Sequence, residues 1–184
     1  MKTDRVELRP FRMEDLEDVF AYCSQDGVGE MAGWAHHRDI SQSKALLETW
    51  MADENSFAIV QKASGRVIGH ICAHPESEEG RADTKELGFV LNRDFQGKGL
   101  MTEAVRQILR RLEGQGIRYV WACCFQNNVP SRRLIEKSGF AFIQEGSYTS
   151  KSLGKTFPSY EYRMELNCGL PSATTAALQE CKKS

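Results

Sequence analysis

The chain has no C-x-x-C pair among its six cysteines, Cys23, Cys72, Cys123, Cys124, Cys168 and Cys181. That argues against both a zinc site and a thioredoxin-like redox motif. Cys123 and Cys124 are neighbours in a strand-like run and point to opposite faces, so they make poor joint ligands. No metal is expected. No apolar run approaches the ~20 residues that a membrane helix needs, so no membrane association is expected either. An excess of one charge is also lacking: 24 Lys and Arg stand against 25 Asp and Glu, a net charge of −1. A general nucleic-acid binder usually shows a basic excess or stripe, and no nucleic-acid partner is expected. A local basic patch for a phosphorylated ligand remains compatible with this balance. No signal-peptide pattern, internal repeat, low-complexity tract or linker is present, and the expectation is a soluble cytoplasmic protein with free thiols.

What remains is ordinary for a globular domain. The 184 residues are 41% apolar and 27% charged, enough for one domain with its own core. Alternation over 6–10 predicts a short strand stopped by Pro10. A helix opening at Met13 carries Leu16, Val19 and Phe20 on one side and is expected to end at Gly27 and Gly29. Residues 31–38 show no clean period and read as a loop. A second helix is expected over 43–51, with Leu46, Leu47 and Trp50 as its apolar face. Strands follow at 57–61 and 66–73, joined by a turn as a hairpin, and another at 85–91 after an acidic, turn-like segment over 75–83. The clearest helix spans 100–112, where Leu100, Ala104, Ile108 and Leu112 recur every fourth residue. Residues 119–125 form an almost wholly apolar strand, as suits burial on both faces. Pro130 opens a further helix that Ser138 and Gly139 close. Strands at 140–143 and 157–166 look like an antiparallel pair joined by a polar segment over 146–155. The order β-α-α-β-β-β-α-β-α-β-β defines a single mixed α/β domain over 5–166, and 167–184 reads as a poorly ordered tail.

Chemistry concentrates where the 85–91 strand runs through Gln96-Gly97-Lys98-Gly99 into the strongest helix. Glycines let a ligand approach the backbone closely. The first-turn amides have no partner inside the helix and lie at the positive end of its dipole, so such a turn can bind phosphate oxygens. On the glycines alone, a plain tight turn is an equally good reading. The stretch is neither a Walker loop nor a dinucleotide fingerprint, since the Lys-Ser/Thr pair and the third glycine are missing.

A second unit, Asn127-Asn128 through Ser131, Arg132, Arg133, Leu134 and Lys137 to Gly139-Phe140, follows the apolar strand. Together the two units resemble the GNAT superfamily of N-acetyltransferases. Its pyrophosphate loop reads Gln/Arg-x-x-Gly-x-Gly/Ala, and its second half reads Asn-x-x-Ser/Ala, a helix, then Lys-x-Gly-Phe. Asn128, Ser131, Lys137, Gly139 and Phe140 match that half. The opening Leu8-Arg9-Pro10 and the run from Gly97 to Ala104 are most similar to the branch containing the ribosomal-protein N-terminal (alanine/serine) acetyltransferases. The resemblance covers roughly 6–166. It implies a mixed, mostly antiparallel sheet of six to seven strands flanked by helices, with a splayed parallel pair at the cofactor site. It further implies acetyl-CoA as cofactor and a primary amine as acceptor, either a protein N-terminus or a small molecule, and relatives often pair as homodimers. A non-catalytic acyl-CoA-binding regulatory domain on the same fold is the alternative, since fold does not fix activity. A nucleotide-phosphate enzyme finds little support, because a metal-binding hydroxyl and its acidic partner are not evident.

By this resemblance the amides of Gln96, Gly97, Lys98, Gly99 and Leu100, with Met101 beside them, hold the pyrophosphate. Main-chain groups of Phe89, Val90 and Leu91 bind the pantetheine arm, and Asn128 hydrogen-bonds it. Arg132, Arg133 or Lys137 meets the terminal phosphate, or forms a solvated helix face. Glu86, on the same side of its strand as Val90, is the expected base for the ammonium of the acceptor, acting directly or through water. The alternative is a strand-edge carboxylate with a structural partner. Two positions depart from the family pattern. Asp94 stands where the loop usually begins with Gln or Arg, and Ile135 stands where many members place a tyrosine that protonates the departing thiolate. Ser131 is then the candidate to hydrogen-bond the sulfur. Trp34, His36 and His37 lie in the loop that the family uses to cover the acceptor, although surface histidines without a role are the more common case. Tyr148, Tyr160 and Tyr162 line the acceptor side or pack in the closing strands.

Overall fold

The computed structural model of the chain describes residues 4–75 and 80–167. The tail beyond 167 and Glu76, Glu78 and Glu79 of the acidic segment lie outside the described residues. In chain order the elements are β1 (Val6–Arg9), α1 (Leu16–Cys23), α2 (Ile40–Ala52), β2 (Ser56–Gln61), β3 (Val67–Pro75), β4 (Thr84–Leu91), α3 (Leu100–Gly114), β5 (Tyr119–Phe125), α4 (Val129–Lys137), β6 (Ala141–Ser150) and β7 (Lys155–Glu165). Single 3-10 turns at Met13–Asp15, Glu30–Ala32 and Arg93–Phe95 punctuate them.

Local chemistry sets the element ends. Asp39 caps α2 by accepting the Ser41 amide at 2.7 Å, and Gln42 closes the capping box, so the helix begins at Ile40, before the expected residue 43. The first helix stops at Cys23, and a run of turns carries the chain on past Gly27. The largest departure is β6. The polar segment expected as a loop is strand through Ser150, and its Tyr148, Thr149 and Ser150 pair with Phe157, Thr156 and Lys155 of β7. Nearly every β6 residue is exposed, so no one-sided burial stamps a period of two on the sequence.

The seven strands form one sheet in the order β1-β2-β3-β4-β5-β7-β6. All neighbours are antiparallel except β4 and β5. On one face α3 buries Leu100, Ala104, Val105, Ile108 and Leu112, with Leu87 and Val120 of the sheet in the same core. Full burial of a residue such as Ile108 stabilises by roughly 1.5–3 kcal/mol. On the other face α1 and α2 bring Val19, Tyr22 and Leu47 against Ala58, Val60 and Val90. Strand β5 is apolar on both sides for two different reasons. Val120, Ala122 and Cys124 pack under α3, whereas Trp121 and Cys123 are only partly buried because their face borders an open cleft. Among the described residues no helix is long and apolar enough to cross a membrane.

Candidate active site

The parallel pairing of β4 with β5 runs from Thr84↔Tyr119 to Leu87↔Ala122 and stops there. Both strands continue, to Leu91 and Phe125, so the sheet is split from Gly88 onward. The main chain of β4 in this stretch keeps its bonds to β3 and turns its other edge to the gap. A cleft of about 1060 Å³ occupies the split and reaches both faces of the sheet.

On the α3 side the cleft meets the turn before the helix. Gly97 and Gly99 have φ of 69° and 76°, a region that costs other residues about 1–2 kcal/mol. A Cβ on Gly97 would touch nothing within 4 Å, so backbone conformation, not space, calls for glycine there. No side chain caps α3, leaving its first-turn amides to a ligand. The turn is braced from behind. Glu103, only 8% exposed, accepts the Arg5 amide at 2.7 Å and the Arg5 Nε at 2.8 Å, and the same guanidinium donates to the Lys98 carbonyl at 2.8 Å. Pairing with Arg5 holds the Glu103 carboxyl below its ordinary range, against the burial that raises it. Nothing in the sequence marks this brace, because its partners are 98 residues apart.

Across the split, α4 starts on Asn128, whose side-chain oxygen accepts the Ser131 amide at 3.2 Å while its amide donates to the Met31 carbonyl at 3.2 Å. The Ser131 hydroxyl lines the cleft with no protein partner among the described residues. Ile135 is 1% exposed in the core, so this position offers the cleft no proton donor.

The residues expected from the sequence fall into two groups. Glu86, Phe89, Val90, Leu91, Gln96, Gly97, Gly99, Leu100, Met101, Asn128, Ser131 and Lys137 line the cleft, as do Trp34 and His37. Three side chains are engaged elsewhere. Lys98 donates to the Asp94 carbonyl at 2.7 Å. Arg132 pairs with Glu136 at 2.9 Å and lies over the Tyr160 ring. His36 pairs with Glu30 at 2.8 Å, and Glu30 also accepts the amides of Gly27 and His36. Those bonds outweigh desolvation and pull the Glu30 carboxyl down to about 2. Arg133 and Lys137 line the cleft and have no ion pair among the described residues. The Leu91 carbonyl is already taken by Gln96 Nε2 at 2.9 Å.

On the α1/α2 side, alternation places Glu86, Gly88 and Val90 together, with His74, Cys72 and His70 opposite them in β3. Tyr148 also lines the cleft, whereas Tyr162 is in the core and Tyr160 packs against it. The imidazole of His37 shares a 2.7 Å hydrogen bond with the buried Ser43 hydroxyl. Burial, with His36 nearby, pushes its pKa down. Burial takes His70 down to about 3, so this ring is neutral at physiological pH. Cys72 and Cys123 line the floor, where burial pushes both thiols up to about 11. Neither is a ready nucleophile. His70 and Cys72 carry no sequence signal, since they sit in a strand as apolar as any core strand.

A split sheet with a glycine turn and an uncapped helix beside it can hold a phosphate-bearing ligand whose arm enters the gap. Comparison with known proteins agrees: residues 5–141 match the acetyltransferase (GNAT) domain. The chain belongs to this family and is an acetyltransferase. It is 27% identical over 139 residues to the uncharacterized N-acetyltransferase YnaD of Bacillus subtilis, covering 74% of this chain and 79% of that one. Among solved structures it resembles the microcin C7 self-immunity acetyltransferase MccE in complex with acetyl-CoA and AMP, with TM-score 0.74, 19% identity, and 89% and 94% of the two chains covered. It also resembles the ribosomal-protein-S5-alanine acetyltransferase of Vibrio fischeri, with TM-score 0.72, 18% identity, and 93% and 98% covered. The ribosomal-protein branch is therefore one of several neighbours, and at these identities the likeness shows the fold alone.

Proposed function

We propose that the chain transfers acetyl from acetyl-CoA directly to a primary amine, on a protein N-terminus or a small molecule, held on the α1/α2 side of the split. The observation carrying this reading is the end of β4–β5 pairing at Leu87↔Ala122, which opens a passage between the phosphate-binding turn and Glu86. The amides from Gln96 to Leu100 would hold the pyrophosphate, and Arg133 and Lys137 the terminal phosphate. The open edge of β4 from Phe89 to Leu91 would bind the pantetheine arm. The side chain of Asn128 joins it through the amide N–H not given to the Met31 carbonyl. When bound, the cofactor supplies an activated acetyl thioester. Glu86 takes the proton that the ammonium must lose before it can attack, directly or through water. The Ser131 hydroxyl hydrogen-bonds the departing sulfur, and a thiolate of ordinary pKa ~8.5 leaves with modest help. Direct transfer is favoured because the nearest thiols are raised far above neutral pH by burial.

Calorimetric titration with acetyl-CoA, followed by a thiol-release assay over mixed amines and N-terminal peptides, tests the reading. Binding with release is expected. No binding at millimolar concentration overturns it.

A further inference from the structure

The two sides of the cleft offer opposite chemistry. Its lining cations are Arg133 and Lys137 of α4, and Arg93 beyond the end of β4, whose guanidinium is tied to the Asp26 carbonyl. On the α1/α2 side the lining is aromatic instead. Trp50 and His70 form one wall, with ring centroids 4.3 Å apart, and Trp34 stands beside them against His37 at 5.4 Å. Phe125 and Tyr148 form the facing wall, 5.8 Å apart. Among the described residues Glu86 is the one carboxylate lining this side, beside imidazoles, thiols and the Tyr148 phenol. Arg163, on the same face of β7, lies over the rings of Tyr119 and Trp121 at 4.9 and 5.5 Å.

Spacing between the walls follows from the sheet. His70 is on β3 and Phe125 on β5, with β4 between them. Two strand spacings put their backbones about 10 Å apart, and more where β4 and β5 part. A planar ring stacked on both walls needs about 9–14 Å between the wall centroids, twice the usual aromatic separation. Between the walls on β4 stands Val90, the partner of His70, followed on the same face by Gly88, which has no side chain, and then by Glu86.

We propose that the acceptor is an aryl-bearing primary amine, its planar ring held between the Trp50/His70 and Phe125/Tyr148 walls and its amine directed along β4 toward Glu86, which takes its proton directly or through water. This rests on the transferase reading above. An acceptor with a carboxylate or phosphate beside the amine finds its nearest lining cation in Arg93, whose guanidinium is already tied to the Asp26 carbonyl after α1. A polyamine gains contact with the aromatic faces but, among the described residues, finds one lining carboxylate for several charges.

The test compares kcat/KM by thiol release for tryptamine and phenethylamine, for peptides beginning with Trp or Phe, and for spermidine, an alanyl peptide and phosphoethanolamine. The aryl amines or the aryl-headed peptides are expected to exceed the other three at least tenfold, and whichever of the two leads identifies the source of the ring. Spermidine, the alanyl peptide or phosphoethanolamine matching them overturns the proposal, as does acetyl-CoA binding with no turnover of any aryl acceptor. Failure to bind acetyl-CoA instead overturns the underlying reading. Tyr148 is 45% exposed, so Tyr148→Ala should leave the fold and acetyl-CoA affinity intact. It should raise KM for the preferred aryl acceptor about 2- to 10-fold, the worth of one aromatic pair, and Tyr148→Phe should restore it. An unchanged KM in Tyr148→Ala removes the second wall and the proposal with it.

Discussion

Glu86 owes its place to strand alternation and to the strand it sits on. It projects from the same face as Gly88 and Val90, and its parallel partner is Trp121 in the last well-paired stretch before the sheet splits. A carboxylate there lies beside the passage yet within a rigid ladder, which is where a proton acceptor for an incoming ammonium should stand. Glu86→Gln keeps the shape and removes the basicity. We expect acetyl-CoA affinity unchanged by calorimetry and kcat lowered about 10²-fold or more, most severely at low pH, where less of the amine is already deprotonated. Turnover at the level of the unaltered protein would remove Glu86 from the role. The place of Glu86 beside the cleft was readable because strand period puts it on the Val90 face, whereas its proposed role rests on the family resemblance. His70 was not readable, because a histidine buried by aromatic neighbours from two distant helices looks like any other residue of an apolar strand.

At the scale of elements, the turn into α3 does most to make the site. Its two glycines adopt left-handed conformations, the helix starts without a side-chain cap, and the Arg5–Glu103 brace fixes it to the strand at the edge of the sheet. Gly97→Ala isolates the conformational term, since open space surrounds the added methyl. A cost of about 1–2 kcal/mol that shifts the turn away from its binding shape should weaken acetyl-CoA about 5- to 30-fold by calorimetry, with the acceptor KM little changed. Most elements were legible in the sequence for local reasons: α3 by its stripe, β5 by its apolar run, α4 by Asn128 and Pro130. The continuation of β6 beyond Ile143 was missed because its exposure erases the pattern that reports a strand. The brace was missed because long-range ion pairs leave no local trace.

For the whole molecule, the cleft separates two packed units joined through one sheet, and the α1/α2 unit carries a titratable group at its centre. His70 is 8% exposed, shares a 3.3 Å hydrogen bond with the Tyr22 hydroxyl of α1, and lies tilted against the Trp50 ring of α2. The neighbouring His74 ring adds to burial in opposing its protonation. The folded pKa of about 3 lies below the ordinary 6.5, so between these values the unfolded chain binds a proton that the native protein refuses. Stability is then fully present above pH 6.5 and lost as pH falls toward 3. At about 1.4 kcal/mol per pH unit, going from pH 6.5 to 5 should cost about 2 kcal/mol from this residue. Depression of His37 adds in the same direction, and Glu30 contributes only below its ordinary 4.5. Urea unfolding at pH 7, 6 and 5 should therefore show a falling midpoint. In His70→Gln, which keeps a polar partner for Tyr22, the fall should shrink by about 2 kcal/mol over the same range. An identical pH dependence in the two proteins would mean that the cavity wall admits a charged imidazole, and that water reaches the α1/α2 side of the cleft far more freely than its aromatic lining implies.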